Sequence, residues 1–433
     1  GAGVITGYGT VEDRPVYVFS QDFTVRGGAM GKAQGKKIEK VLELARTTGT
    51  PVVAMLDSAG VCLDEGVEAM NAYADVYVRM ARLSGVVPMI ALVMGPVVGG
   101  ASILVPLADV SIQAENVGEV MVYGPQVVGA MTGKNLTGKA LGGAAAMAAQ
   151  GGVSLTAKTE DEALALAVKV LDLLPDCNMG DSPLLDVDDM NRLLPEVDRN
   201  DGHGLLNALA DQGTALELFH GYGDELVVAL GRLGGRAVGF VISNAQADEG
   251  YLTPAGSEKA ARFIRLCDCF SLPVVSLINS KGVAVPDAAH QAEAMKASAQ
   301  LLYAYAEATC PKISVVVGHA IGQAYVAMGG KANADVCYAW PGAVISALTP
   351  EVAVQVLYAK ELAASEGSAL EARQKLETAY AQQVADGMAA AAQGMVDDVC
   401  DPADTRKLVI AALEMLVSKR DQNLLKKHGN MPL

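Results

Sequence analysis

The sequence predicts an α/β fold in which one arrangement of parallel strands and crossover helices is used twice. Lys37–Gly60 (KIEKVLELARTTGTPVVAMLDSAG) and Lys259–Gly282 (KAARFIRLCDCFSLPVVSLINSKG) align at an offset of 259 − 37 = 222, with Pro-Val-Val and the final Gly in register. Gly95–Ser102 (GPVVGGAS) and Gly318–Tyr325 (GHAIGQAY) follow at an offset of 318 − 95 = 223. One offset with small drift indicates two domains rather than a solenoid of short repeats.

Each half reads as strands that alternate with helices, an order typical of a parallel sheet with crossover helices. In the first half, apolar residues at helical spacing and short apolar runs predict a hairpin at Val4–Ser20, helices at Gly31–Thr48 and Val67–Leu83, and strands at Pro51–Leu56 and Val87–Val93. The second half repeats this order in strands Ala237–Ser243, Pro273–Asn279 and Lys312–Val317 and helices Ser257–Cys269 and Ala288–Ala308.

The length of 433 residues fits two domains of about 200 residues each. We assign them to residues 1–175 and 222–433. The segment between them, 176–221, is rich in Asp, Asn and Gly and is interpreted as an acidic connector. The last segment, 361–427, alternates charged and apolar positions and is predicted to be mostly helical.

Composition excludes several classes of partner and site. The net charge of −16 argues against nucleic acid or an anionic membrane surface as partner. The seven cysteines have no framework spacing, and Cys267-x-Cys269 has no second pair or nearby His, so no metal site is predicted. No secretory leader is visible, and we expect reduced thiols in a cytoplasmic protein.

One uncharged stretch imitates a membrane span. Val86–Ala108 has 108 − 86 + 1 = 23 residues without a charge, but it contains three prolines and the pair Gly99-Gly100. These residues would break a spanning helix repeatedly. A buried strand, a tight turn and a buried helix account for the stretch better, and the chain is not expected to span a membrane.

The glycine turn within this stretch is the motif that best suits a role in catalysis or binding. At Gly95–Ser102 the chain leaves a buried strand and enters a predicted helix, and two adjacent glycines allow a ligand to approach the backbone. Unpaired N–H groups in the first helical turn suit an oxyanion, such as the enolate of a thioester. A Gly-Gly pair is also a common packing device. The equivalent turn at Gly322–Tyr325 strengthens the functional interpretation.

Other site classes have weaker support. The Gly- and Lys-containing stretches lack the spacing of a phosphate-binding P-loop, Gly7-x-Gly9 lacks a third glycine, and no G-x-S-x-G elbow is present. None of the five histidines lies at metal-ligand spacing. Asp57 follows a predicted strand, where it is either an acid/base or a cap of the next turn.

Segments spread over nearly the whole chain carry a resemblance to a known family. They are Gly3–Gly28, Ser84–Ala101, Tyr123–Gly133, Lys259–Phe270, Leu301–Ile313, Cys337–Ala343 and Lys426–Leu433. Together they resemble the carboxyltransferase subunits of biotin-dependent acyl-CoA carboxylases and decarboxylases, which include propionyl-CoA carboxylase beta and methylmalonyl-CoA decarboxylase alpha subunits.

The resemblance implies two duplicated crotonase-like (ClpP/crotonase) superdomains in a homo-oligomer, a trimer of dimers. It implies that acyl-CoA binds on the N-terminal domain of one subunit and that carboxybiotin enters from the C-terminal domain of another. The biotin is attached to a separate biotin carboxyl carrier protein. A biotin carboxylase or a membrane decarboxylase subunit is the further partner. The family chemistry requires no protein base, which agrees with the scarcity of histidine.

The resemblance also implies site residues. The N-terminal oxyanion hole falls on Gly99 and Gly100, with Ala101, and would hold the enolate of the acyl thioester. The C-terminal hole falls on Gln323 and Ala324 and would hold the ureido oxygen of biotin. The flanking residues Gly322, Tyr325 and Val326 are also expected to contact a cofactor. The basic residues expected near the CoA phosphates are Arg26, Lys32, Lys36 and Lys37, for which a solvated helix face is the alternative.

The chain departs from the family pattern at several positions. Cys62 stands where the family has arginine in D-S-G-G-A-R, and Gln323 replaces a glycine and is expected to crowd its turn. Val326 stands where carboxylases commonly have Asp, and the acyl pocket would be more apolar if this position faces the acyl group. Asn279–Pro286 is a poor match to D-V-P-G-F-L-P-G beside the expected biotin path.

These observations predict a carboxyltransferase that acts on a short acyl-CoA of the propionyl/methylmalonyl-CoA class. The direction, carboxylation or decarboxylation, is not encoded in these residues. Two alternatives stay open: a crotonase-type enoyl-CoA hydratase or isomerase that works without biotin, and a non-catalytic scaffold subunit of a biotin-dependent complex.

Overall fold

The computed structural model describes residues 2–285, 287–364, 369–421 and 423–432. The chain forms two compact units. Unit 1 comprises Gly1–Pro183 and Glu217–Tyr222, and unit 2 comprises Leu184–Leu216 and Gly223–Leu433. Residues 176–221 therefore contribute to both units.

Unit 1 consists of a mixed sheet with helices on its faces. Its strands are β1 (Val4–Val11), β2 (Arg14–Gln21), β3 (Val52–Ser58), β4 (Met89–Val98), β5 (Val110–Ala114), β6 (Glu119–Met121) and β7 (Leu155–Ala157). Its α-helices are α1 (Lys32–Thr48), α2 (Val67–Leu83), α3 (Leu104–Leu107), α4 (Pro125–Thr132), α5 (Gly138–Gly142), α6 (Ala144–Ala148) and α7 (Glu160–Leu173). Short 3-10 helices occupy Arg26–Gly28, Leu63–Glu65 and Gly99–Ile103.

The strands of unit 1 lie in the order β1-β2-β3-β4-β5-β7, and β6 also pairs with β4. Strands β1 and β2 form an antiparallel hairpin, while the pairs from β2 to β7 are parallel. The core lies between this sheet and the apolar faces of α1 and α2, where Phe19, Ile38 and Val76 are fully buried. The burial of each such side chain contributes about 1.5–3 kcal/mol to the stability of the folded unit.

Unit 2 repeats this plan. Its strands are β8 (Leu216–Leu218, which has residues of both units), β9 (Leu226–Leu233), β10 (Arg236–Ser243), β11 (Val274–Ser280), β12 (Lys312–Ile321), β13 (Val336–Ala339), β14 (Val344–Ser346) and β15 (Asp398–Val399). Its α-helices are α8 (Gly202–Leu209), α9 (Pro254–Cys269), α10 (Gln291–Glu307), α11 (Gly322–Ala327), α12 (Pro350–Leu357), α13 (Ala359–Ala364), α14 (Ala369–Tyr380), α15 (Gly387–Ala392) and α16 (Thr405–Leu416). Further helical turns lie at Asp248–Gly250, Ala381–Ala385 and Pro402–Asp404.

The sheet of unit 2 runs β15-β13-β12-β11-β10-β9, and β14 also pairs with β12. Strands β9 and β10 reproduce the antiparallel hairpin β1-β2 of unit 1 at one offset, because 226 − 4 = 222 and 243 − 21 = 222. Two isolated parallel bridges, Met30 with Val61 and Leu252 with Val283, are related by the same offset. The predicted duplicated α/β fold is confirmed.

Several predicted boundaries need correction. Strand β4 continues to Val98, past the predicted end at Val93, because Pro96 and Val97 pair with the non-local strand β6. The uncharged stretch 86–108 folds as the end of one loop, β4, a 3-10 turn and the four-residue α3. Within the described residues, no helix combines the length and apolarity that crossing a membrane requires.

The two segments without repeat counterparts also differ from expectation. The predicted connector 176–221 contains helix α8, whose Leu205 and Leu209 are fully buried in the core of unit 2. The predicted helical segment 361–427 contains α13 to α16 but also strand β15. The last helix ends at Leu416, eleven residues before the predicted end at Lys427 (427 − 416 = 11).

Candidate active site

The glycine turn of unit 1 lies directly after β4. Its 3-10 helix begins at Gly99, which has a left-handed φ of +62°, and continues through Gly100 and Ala101 to Ile103. The first N–H groups of a helix have no acceptor within that helix. Gly99 and Gly100 are partly exposed, while Ala101 is buried. Since the helical run is short, these amides matter more than any helix dipole.

Two tyrosines of α2, Tyr73 and Tyr77, pack against this turn at Gly100. The hydroxyl of Tyr77 donates to the carbonyl oxygen of Gly100 at 2.5 Å, and that of Tyr73 donates to the carbonyl oxygen of Gly60 at 3.0 Å. The two rings stack with centroids 5.7 Å apart. Burial raises the pKa of Tyr77 to about 12 and that of Tyr73 further, so both hydroxyls stay protonated donors at neutral pH. The Tyr77 hydrogen bond orients the peptide plane between Gly100 and Ala101, whereas the Tyr73 hydrogen bond holds Gly60 in the turn that follows β3.

Packing explains why position 100 is glycine. A Cβ built on Gly100 would lie 2.9 Å from ring carbons of Tyr73 and 2.9 Å from the hydroxyl oxygen of Tyr77. At Gly99 the space is open, since the nearest atom to a Cβ would be the Cα of Gly60 at 3.9 Å, but the positive φ favours glycine. The Ser102 hydroxyl adds a 2.7 Å hydrogen bond to the carbonyl oxygen of Gly99.

The equivalent turn of unit 2 is the start of α11. Gly322 has a φ of +54°, and a Cβ there would lie 2.8 Å from the carbonyl oxygen of Ala347. Gln323 does not share this strained backbone, and its side chain is exposed rather than crowded against the turn. Ala324 is fully buried. The two turns therefore share their backbone form although glycine is kept at only one of two positions in unit 2.

An apolar groove of about 570 Å³ opens beside the turn of unit 2. It is lined by uncharged side chains of the loop after β11, of α10 and of α11, namely Val283, Ala284, Val285, Gln291, Ala294, Met295, Ser298, Ala299, Leu302, Gln323, Val326 and Ala327. Gln323 supplies one of its few polar groups. The groove is therefore suited to an uncharged ring with a polar edge.

The turns that follow β3 and β11 are also built alike. The N–H of Gly60 donates to the Ser58 hydroxyl at 3.2 Å, and that of Gly282 donates to the Ser280 hydroxyl at 3.4 Å. Ser58, and not Asp57, is thus the side chain that caps the first of these turns. Both glycines have positive φ, +110° and +127°.

Arg26 and Lys32 lie against acidic side chains. Arg26 pairs with Asp64 at 2.7 Å, and the ammonium of Lys32 lies 3.3 Å from a carboxylate oxygen of Glu68. A carboxylate oxygen of Glu65 also accepts from the backbone N–H of Lys32 at 2.6 Å. Exposed pairs of this kind contribute about 0–1 kcal/mol, so an anion could displace them at small cost.

Lys36 and Lys37 point to different partners. Lys36 pairs with Glu39 at 3.0 Å and lies 3.7 Å from Asp75. Lys37 donates to the carbonyl oxygen of Val4 at 2.5 Å, which ties α1 to the hairpin. The four basic candidates therefore belong to unit 1, and each already has a partner within the chain.

The remaining predicted residues lie in or near the groove of unit 2. Val326 is 44% exposed and lines the groove. The Tyr325 hydroxyl is engaged inside the unit, because it donates to the Met395 carbonyl oxygen at 2.8 Å and accepts from the Lys331 N–H at 3.1 Å. Of the divergent segment 279–286, residues 279–285 are described, and Pro286 lies outside the described residues.

Sequence reasoning missed Tyr73 and Tyr77. Their spacing of four residues places both rings on one face of a helix, which was the available signal. It carried no information on which carbonyl groups they contact, because the glycine turn lies more than twenty residues further along the chain. Cys62, at the position of the family arginine, is buried.

Comparison with known proteins gives a consistent answer. The carboxyl transferase domain model matches residues 1–431. The propionyl-CoA carboxylase carboxyltransferase subunit of Haloferax mediterranei is 38% identical over 100% of this chain and 86% of its own length. The methylmalonyl-CoA decarboxylase subunit alpha of Veillonella parvula is 36% identical over 100% of this chain and 86% of its own.

A solved structure agrees with these relatives. Transcarboxylase 12S, described as a hexamer assembly with methylmalonyl-coenzyme A and methylmalonic acid bound, matches with a TM-score of 0.95 and 37% identity. The match covers 100% of this chain and 85% of that chain. The family resemblance found in the sequence motifs is confirmed. This chain belongs to the carboxyl transferase domain family.

Proposed function

We propose that this chain moves a carboxyl group between carboxybiotin and the α carbon of a short acyl-CoA of the propionyl/methylmalonyl-CoA class. The carboxyl transferase domain over residues 1–431 supports the reaction class, and the names of the relatives support the substrate class. The observation that carries the proposal is the pair of equivalent turns at Gly99 and Gly322, each with positive φ at the end of a long strand.

The turn of unit 1 is the site we assign to the acyl thioester. Backbone amides of Gly99, Gly100 and Ala101 would stabilise the negative charge that develops on the thioester oxygen. Tyr73 and Tyr77 fix the turn before the ligand arrives, so little reorganisation is needed when charge develops. Arg26, Lys32, Lys36 and Lys37 would meet the CoA phosphates after exchange of their present partners.

The turn of unit 2 is the site we assign to biotin. The amides of Gln323 and Ala324 would hold the ureido oxygen, and Gly322, Tyr325 and Val326 frame that turn. The apolar groove of about 570 Å³ fits a neutral bicyclic ring, which supports this assignment. Bound carboxybiotin supplies the activated carboxyl group. The chain's own residues orient the two reactants and stabilise their developing oxyanions.

The expected partners follow from the same proposal. They are a biotin carboxyl carrier protein and either a biotin carboxylase or a membrane decarboxylase subunit, in the cytoplasm. The assembly is expected to be a trimer of dimers, in keeping with the hexamer assembly described for transcarboxylase 12S. Cross-linking mass spectrometry of the purified protein would count the subunits.

The test uses methylmalonyl-CoA labelled in its free carboxyl group, together with free biotin and the purified full chain. We expect label to appear in carboxybiotin, and Gly100→Gln to abolish this transfer. Hydration of an enoyl-CoA without label transfer would instead support the hydratase alternative. Absence of both reactions, with the acyl-CoA bound, would support a scaffold subunit.

A further inference from the structure

Asp57 is a polar residue that the proposed reaction leaves unused. It lies at the carboxyl end of β3, and its Oδ1 atom is buried. Among the described residues, no group donates a hydrogen bond to this oxygen, although the side chain as a whole is half-buried. The neighbouring strand β4 packs tightly on it, since a Cβ built on Gly95 would lie 2.2 Å from Oδ1.

The equivalent residue in unit 2, Asn279, packs against its neighbouring strand in the same way, but its side chain is fully hydrogen-bonded. Asn279 follows Asp57 by 279 − 57 = 222, and a Cβ on Gly318 would lie 2.3 Å from its Oδ1. The N–H of His319 donates to this oxygen at 2.8 Å. The amide nitrogen of Asn279 donates to the carbonyl oxygen of Arg199 at 3.0 Å.

One residue explains the difference. Pro96 occupies in β4 the position that His319 occupies in β12, because 319 − 96 = 223. Proline has no backbone N–H, so the donor that satisfies Asn279 has no counterpart beside Asp57. An ionised carboxylate without a donor is disfavoured in a buried position. Burial, together with the charge of Asp22, raises the pKa of Asp57 to about 6.

The groups packed around Asp57 offer little compensation. Asp22, beyond the end of β2, is the charged neighbour, and it has the same sign. Gln21 accepts from the N–H of Asp57 at 3.2 Å, which leaves the carboxyl group unaffected. The 3-10 helix Arg26–Gly28 contributes the backbone of Gly28, and β4 contributes the uncharged Gly95.

Asp57 is linked to the turn of unit 1 through two backbone segments. Its Oδ1 packs against Gly95, which lies four residues before Gly99 on β4, where the register with β3 shifts. Ser58, the next residue, pairs with Val97, and Gly60 lies beside Gly99. Asp57 can therefore influence the turn through β4 and through the end of β3.

We propose that Asp57 is a proton-linked positioning residue for the turn of unit 1. In its neutral form Asp57 packs closely against Gly95 of β4, as Asn279 packs against Gly318 of β12 in unit 2. Its ionisation disfavours this close packing and shifts the strand that carries Gly99, Gly100 and Ala101. The catalytic half of this inference rests on the proposed function, whereas the structural half does not.

Thermal unfolding of the full chain between pH 4.5 and 8 tests the structural half. A group whose folded pKa is raised contributes stability that is present at low pH and is lost as pH rises through about 6. Asp57→Asn keeps the neutral shape at every pH. We therefore expect its midpoint to exceed that of the wild type by a margin that is small at pH 4.5, grows as pH rises through about 6 and reaches about 3 °C at pH 8.

Two further variants keep this test decisive. Pro96→Ala restores an N–H opposite Asp57 and should move the wild-type pH dependence to lower pH. The matched control Asn279→Asp places a carboxylate against the Arg199 carbonyl oxygen in unit 2 and should lower the midpoint most at high pH. A difference between Asp57→Asn and wild type that does not change with pH would overturn the proposal.

Label transfer from methylmalonyl-CoA to biotin tests the catalytic half. We expect the wild-type rate to fall by about threefold relative to Asp57→Asn between pH 5.5 and 8, as a positioning effect of less than 1 kcal/mol would produce. Equal pH profiles would contradict this half. If no variant transfers label, the proposed function fails, while the unfolding profiles still decide the role of Asp57.

Discussion

The glycine turns of the two units share a backbone but differ in what lies behind them. In unit 1, stacked tyrosines fill the space next to Gly100, and their hydroxyls bond to two carbonyl groups of the turn region. In unit 2, the equivalent position holds Gln323, and the space beside it is an open apolar groove. The comparison indicates that the two copies kept the backbone form of the turn while the side chains around it diverged.

The turn of unit 1 is therefore held more rigidly, whereas the turn of unit 2 is more accessible to a ligand. A turn that is braced by buried hydroxyls suits an oxyanion that forms during the reaction, because preorganised donors need not move. A turn that borders an open groove suits a ring that arrives on a carrier protein and leaves again. Substitutions that alter the bracing in unit 1 or the turn in unit 2 measure how much each contributes.

The largest effect is expected from placing the unit 2 residue in unit 1. Gly100→Gln forces a side chain into the 2.9 Å space before Tyr73 and Tyr77. We expect a loss of about 1–3 kcal/mol in stability and a decrease of at least about 100-fold in label transfer. Calorimetry and the transfer assay measure the two effects. A fully active variant would show that the tyrosine packing is irrelevant to the turn.

A second exchange compares the two left-handed glycines. Gly322→Ala adds a Cβ 2.8 Å from the Ala347 carbonyl oxygen, whereas Gly99→Ala meets its nearest atom at 3.9 Å. Both variants carry the backbone cost of about 1–2 kcal/mol, but only the first adds a clash. We expect Gly322→Ala to unfold at lower denaturant concentration than Gly99→Ala. The reverse order would contradict the packing described for the two turns.

The elements around the two turns differ in how well the sequence predicted them. Helix α2 was predicted at its observed bounds, Val67–Leu83, because its apolar spacing is a local property. The end of β4 was not, because Gly95 and Pro96 suggest a turn while pairing with the distant β6 keeps the strand extended. Turn residues at Gly99 and Gly322 were found through the repeat. The packing of Tyr73 and Tyr77 against the turn depends on tertiary contacts, which their four-residue spacing in the sequence does not reveal.

A smaller effect is expected from removing one hydroxyl. Tyr77→Phe deletes the donor to the Gly100 carbonyl oxygen and leaves the ring in place. The net loss of one such hydrogen bond is about 0.5–1.5 kcal/mol, so we expect transfer to slow by about tenfold or less. Tyr8→Phe, on the exposed face of β1, is the control and should leave both the rate and the stability unchanged.

The smallest effect is expected at Gln323. Because its side chain is exposed and Gln323 is outside the left-handed region, Gln323→Gly should change transfer by less than about threefold. Stability should fall by about 0.5–1 kcal/mol from the backbone freedom of glycine. A large gain in transfer would mean that the glutamine side chain obstructs the biotin side, contrary to its exposed position beside the groove.

The most direct test of the paired turns is a structure of the protein determined with an acyl-CoA and biotin bound. We predict the thioester oxygen within about 3 Å of the Gly100 and Ala101 nitrogens, and the ureido oxygen at the same distance from the Gln323 and Ala324 nitrogens. Ligands bound elsewhere, with both turns facing only protein, would contradict the claim that these paired amides bind the two reactants.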